Sequence, residues 1–116
     1  MASVFDEQKI GHALEIFDDF ISGSGSGWAI PGWADAASKV IIDSLQAFEE
    51  KLQAHHGQAD EREYEVGIAI YAICELQSFF MGDTSDVANR KAARVYRDFL
   101  AAKIKELRQM EQDVDG

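Results

Sequence analysis

Residues 34–54 read ADAASKVIIDSLQAFEEKLQA, and the apolar positions Ala34, Ala37, Ile41, Leu45, Phe48 and Leu52 recur at steps of 3, 4, 4, 3 and 4. At 3.6 residues per turn, that spacing returns every one of these side chains to a single stripe of an α-helix. Asp35, Asp43, Glu49 and Glu50 fall outside the stripe. An amphipathic helix of this length must bury its seam against other helices, so the segment predicts an all-α fold.

The same period continues in both directions. Ile10, Ala13, Leu14, Phe17, Phe20 and Ile21 share a face of a helix predicted over 3–21, with Ser3 and Asp6 spaced as a capping box built on a shorter acid. Asp60-Glu61-Arg62-Glu63 supplies an N-cap and first-turn acids to a helix over 60–81. Its Val66, Ile68, Ile70, Tyr71, Ile73, Leu76, Phe79 and Phe80 cover most of the circumference. A helix apolar nearly all round is expected at the centre of the core, with Cys74 as a small buried residue. The run VGIAIYAIC alternates well enough for a strand, but the total length and the acidic start favour helix. Gly82 ends this segment, and the polar residues up to Asp86 offer N-caps for a fourth helix over 86–110. Its predicted core face is Ala88, Ala92, Val95, Phe99, Ala102 and Met110, and residues 112–116 are expected to fray.

Between the first two helices, residues 22–27 read SGSGSG, a flexible loop in a connection over 22–33 that ends in Trp28-Ala29-Ile30-Pro31-Gly32-Trp33. No internal repeat or linker divides the chain. At 116 residues and 47% hydrophobic content it is long enough for one core without disulfide or metal. The prediction is a single-domain, four-helix, mostly antiparallel bundle with the third helix buried at its centre.

Charge is segregated along the chain. Seven of the eleven Lys/Arg fall between Arg90 and Arg108, whereas the first 89 residues carry sixteen Asp/Glu against four Lys/Arg. On a helical wheel Arg90, Arg94, Arg97, Lys105 and Arg108 lie within about 80° of arc, a basic stripe on an acidic body. A net charge of −10 repels a phosphate backbone, so nucleic acid is not the expected partner. The longest apolar run, Val66 to Cys74, is nine residues, and the N-terminus carries no basic leader, so neither membrane insertion nor export is expected. One cysteine in an apolar run fits a reducing compartment, and the cytoplasm is the expected location.

Few residues point to chemistry. One Cys, three His and no Glu-x-x-His pair give little basis for a metal site, and His55-His56 is read as a helix end compensating the dipole. Ser24 sits in Gly23-Ser24-Gly25 without a strand-to-helix scaffold, and no Gly-Lys-Ser/Thr completes a phosphate loop. No catalytic residue, cofactor or metal is expected. The leading expectation is a non-enzymatic acidic protein-binding module acting on a basic partner, of the size and charge found among inhibitors, immunity proteins and adaptors. Asp18, Asp19, Glu49 and Glu50 would supply attraction, and Trp28, Ile30 and Trp33 the desolvated anchor. A second expectation is a small-molecule or minor enzymatic pocket around Glu75, the sole charge between Val66 and Met81, with Tyr64 and Tyr71 on its stripe. A third is a homodimer, or an anion-binding surface, formed by Arg90, Arg94, Arg97, Lys105 and Arg108.

Overall fold

The computed structural model describes residues 3–22, 31–56, 61–81 and 86–115. They form α1 (Glu7–Ser22), α2 (Pro31–His56), α3 (Glu61–Met81) and α4 (Val87–Asp115). Each helix packs along its neighbour in sequence, α4 closes back on α1, and α2 and α4 touch lightly across the diagonal. The result is an antiparallel four-helix bundle. Its long dimension is 45 Å, which the 29 residues of α4 cover alone at about 1.5 Å per residue.

The helix starts follow from local chemistry. Asp6 caps α1: its Oδ1 accepts from the backbone N–H groups of Gln8 at 3.0 Å and Lys9 at 3.1 Å. Asp6, and not Ser3, is therefore the N-cap, and the helix begins at Glu7 instead of residue 3. Asp86 repeats the device at α4, accepting from Ala88 at 2.8 Å and Asn89 at 3.4 Å. Pro31 is the first residue of α2, where its missing N–H costs nothing, and so Trp33 belongs to the first helical turn and not to the preceding loop. Trp28, Ile30 and most of SGSGSG lie outside the described residues.

The α2 seam does what its spacing requires: Ala37, Ile41, Leu45, Phe48 and Leu52 are all buried. Ile10, Ala13, Phe17 and Ile21 of α1 meet it, along with Val66, Ala69, Ala72, Ile73 and Leu76 of α3. Aromatic contacts fill both ends. Phe5 packs edge-on against Phe48 with centroids 5.4 Å apart, and Phe17 stacks on Phe80 at 5.5 Å, with Phe20 and Phe79 each 5.1 Å from Phe80.

Two expectations about burial are corrected. Helix α3 packs against both α2 and α4, yet it is not buried all round: Tyr64, Tyr71 and Cys74 are exposed. A square of four helices gives each member one inward face, and α3 fills it with its alanines and aliphatic residues, leaving the phenols and thiol in water. Helix α4 carries two apolar stripes. The inward one is Ala93, Tyr96, Leu100, Ile104 and Leu107, at steps of 3, 4, 4 and 3, and all of these are buried except the half-buried Tyr96. The stripe expected to face the core is exposed at Ala88, Ala92, Val95, Phe99 and Ala102, and only Met110 is half-buried. The choice follows from size. Burying a large aliphatic or aromatic side chain yields about 1.5–3 kcal/mol, and over residues 93–107 the inward stripe offers Leu100, Ile104, Leu107 and the Tyr96 ring, whereas over 88–102 the outer one offers only Val95 and Phe99 among three alanines.

The end of α4 is also firmer than expected. The helix continues to Asp115, and Glu111, only 1% exposed, accepts from the Val4 backbone N–H at 2.9 Å, from Lys51 Nζ at 3.2 Å and from the Ser3 hydroxyl. One carboxylate thus ties the chain start, α2 and α4 together.

Candidate functional site

Every large apolar or aromatic side chain left exposed among the described residues lies on α3 or α4: Tyr64 at 71%, Tyr71 at 59%, Val87 at 63%, Val95 at 67% and Phe99 at 43%. Their arrangement is set by the α3–α4 pairing. Lys103 of α4 pairs with Glu65 of α3, and Tyr96 lies beside Tyr71, so the antiparallel helices bring Phe99 level with Ile68 and Val95 level with Tyr71. The outer stripe of α4 and the Tyr64–Tyr71 edge of α3 therefore form one apolar face about four turns long.

Polar contacts hold this face in shape. Lys103 also bonds Glu106 at 3.0 Å and stands over the Phe99 ring, 5.6 Å from its centroid. Its hydrogen bonds, to Glu65 first and then to Glu106, raise the Lys103 pKa above the ordinary value. The stability that this ammonium contributes is complete below about 10.5 and is lost as pH rises through the raised folded-state value. Glu75 is half-buried beside the Tyr71 phenol and has no ion pair among the described residues: its negative charge, followed by Tyr96, raises the Tyr71 pKa above 10.0. The expected result in an alkaline absorbance titration is a tyrosine that ionises later than a free phenol. Glu75→Gln brings it down toward 10.0, and an unchanged curve would separate Glu75 from Tyr71.

The residues singled out from sequence are distributed as follows. Tyr64 and Tyr71 are too exposed to wall an enclosed pocket, and neither Arg94 nor Arg97 closes on Glu75. The basic stripe is largely turned toward α1. Arg97 forks onto Asp18, with Nη2 donating to Oδ2 at 2.9 Å and Nε 2.8 Å from Oδ1, and Arg108 pairs with Glu7. Asp18 is thereby held within the chain. Arg90 is half-buried at the start of α4. Arg94 and Lys105 are exposed with Lys91, and none of the three has an ion pair among the described residues. Asp19 and Glu50 are exposed and Glu49 is half-buried, likewise without ion pairs there.

The 4, 3, 4, 3 steps of Ala88, Ala92, Val95, Phe99 and Ala102 mark this stripe in the sequence, but as a core face; that it is an exposed contact face is visible only in the fold. Among the described residues no group of three or more His, Cys, Asp or Glu comes together to hold a metal ion, and no helix is long and apolar enough to cross a membrane. No family model, curated protein or solved structure matches this chain.

Proposed function

We propose that the chain is a non-enzymatic protein-interaction module that docks through the apolar face of α3 and α4 and works in the cytoplasm. The observation that carries this reading is the segregation of Tyr64, Tyr71, Val87, Val95 and Phe99 onto two adjacent helices while α1 and α2 expose no large apolar side chain among the described residues. Contiguous exposed apolar surface is costly in water, and aromatic side chains supply much of the energy of protein contacts.

A second reading keeps the acidic body as the contact surface for a basic partner, as an inhibitor or immunity protein would use it. Asp19, Glu49 and Glu50, without ion pairs among the described residues, support it, as does the net charge of −10, which speeds encounter with a cation-rich surface. The two readings separate in one capture experiment from native-host lysate with the folded chain as bait. Val95→Glu abolishes capture if the apolar face docks, whereas Asp19→Lys/Glu50→Lys abolishes it if the acids do. A partner captured equally by wild type and both variants rules out both surfaces.

A further inference from the structure

We propose that the occupant of the α3/α4 face is a second copy of this chain, docked by antiparallel pairing of α4 with its symmetry mate. The inference rests on reading this face as a contact surface, and it identifies the partner.

The outer stripe of α4 is a coiled-coil seam in its own right. Ala88, Ala92, Val95, Phe99 and Ala102 alternate steps of 4 and 3, the spacing that lets one helix seat against another over several turns. It ends where Glu106 takes the next seam position and is held by Lys103. A two-fold axis between Ala92 and Val95 makes the seam complementary to itself. Ala92 then packs against Val95 of the second copy, and Ala88 receives its Phe99, a small residue opposite a large one at each level. Two-fold contacts of this kind are isologous, so each packing occurs twice.

Charge selects this register. The positions that edge the seam on its solvent side are Lys91, Asp98 and Lys105. In the register just described, Lys91 lies beside Asp98 of the second copy and Asp98 beside its Lys91. Lys105 reaches the start of the other α4, where Asp86 stands. Moving the axis to lie between Val95 and Phe99, the next register the seam allows, sets Asp98 against Asp98 and Lys91 against Lys105, and both pairs repel. Lys91 and Lys105 are exposed and without ion pairs among the described residues, so they are free to make these contacts. Asp98 is 63% exposed; Arg97 Nη1 donates to its Oδ1 at 3.3 Å, and Oδ2 has no bond among the described residues. Lys91, Arg94 and Lys105, exposed on the solvent side of the seam, also lessen the carboxylate repulsion between two copies of an acidic chain.

Sedimentation equilibrium of the full chain at moderate salt tests the inference. The expected result is a mass near twice 12.9 kDa at high protein concentration, falling to 12.9 kDa in Val95→Glu. Val95 is 67% exposed in the single chain and Glu is the better helix former, so this variant keeps its helical circular dichroism and thermal midpoint once measured as a monomer. Lys91→Asp and Asp98→Lys each raise the dimer dissociation constant by about two- to thirtyfold, because two edge pairs are lost in each dimer. Combining them exchanges the charges and restores the wild-type constant. A wild-type chain monomeric at every concentration overturns the second copy as occupant. If Val95→Glu still abolishes capture of another protein, the contact-face reading survives that result. A dimer unaffected by Val95→Glu overturns the α4 seam, and a charge exchange that fails to restore association overturns the register.

Discussion

Glu111→Ala is expected to lower the unfolding free energy by about 3–4 kcal/mol, measured as a fall in the urea midpoint at constant slope. The carboxylate is 1% exposed and is held by three donors from distant parts of the chain, so its loss removes the acceptor of the Val4 N–H and the carboxylate beside Lys51 Nζ. Breaking a buried pair from one side costs about 3–5 kcal/mol because the remaining charge loses the carboxylate that compensated its desolvation. Lys51 keeps 14% of its side chain exposed and can lift its ammonium toward water, which places the expected value at the lower end. The matching test is the double replacement Lys51→Met/Glu111→Leu. Removing both charges together recovers most of the loss, since an apolar pair of similar volume avoids the desolvation cost. A double variant as unstable as Glu111→Ala would show that the hydrogen bonds to Ser3 and Val4, and not the ion pair, carry the effect.

Phe17→Ala is the second large expected effect, about 3–5 kcal/mol. Its ring is fully buried and nearly parallel to Phe80, with an interplanar angle of 11° and centroids 5.5 Å apart. Truncation removes the largest buried side chain of α1 and leaves a cavity beside Phe80, whose other contacts with Phe20 and Phe79 come from partly exposed rings. For a chain of 116 residues this corresponds to a drop of about 10–20 °C in thermal midpoint. Phe17→Leu, which retains most of the volume, is expected to lose less than half as much. Equal losses for Leu and Ala would mean that ring stacking outweighs cavity formation.

The candidate site was only partly legible. Tyr64, Tyr71 and Glu75 were recognised as one stripe of the third helix, and the structure does place them along one side of α3, with the two phenols in solvent. That stripe was read as the lining of a pocket because a single carboxylate among apolar residues resembles a buried acid. The buried acid is instead Glu111, 36 positions further along, just beyond the predicted helix end and next to the polar tail 112–116 that is expected to fray. No local pattern identifies it, because its donors come from residues 3, 4 and 51. Asp18 shows the same limit. It stood out as a free acid near a helix end, but its oxygens are shared with Arg97, 79 positions away.

The sequence by itself determined the elements. The 3-and-4 spacing from Ile10 through Leu52, the Asp86 cap and Pro31 at a first turn are interactions within a few residues of one another, so they are fixed before any helix meets another. Tertiary packing decided what the helices did with their surplus. α4 has two apolar stripes and α3 is apolar over most of its circumference, yet an antiparallel bundle offers each helix one inward face. The core took Leu100, Ile104 and Leu107, with Tyr96, because together they bury more apolar area than Val95 and Phe99 interleaved with Ala88, Ala92 and Ala102. That one choice turned Arg97 and Arg108 toward α1, seated Glu111 over Lys51, and left Val95 and Phe99 on the outside as the face available to a partner.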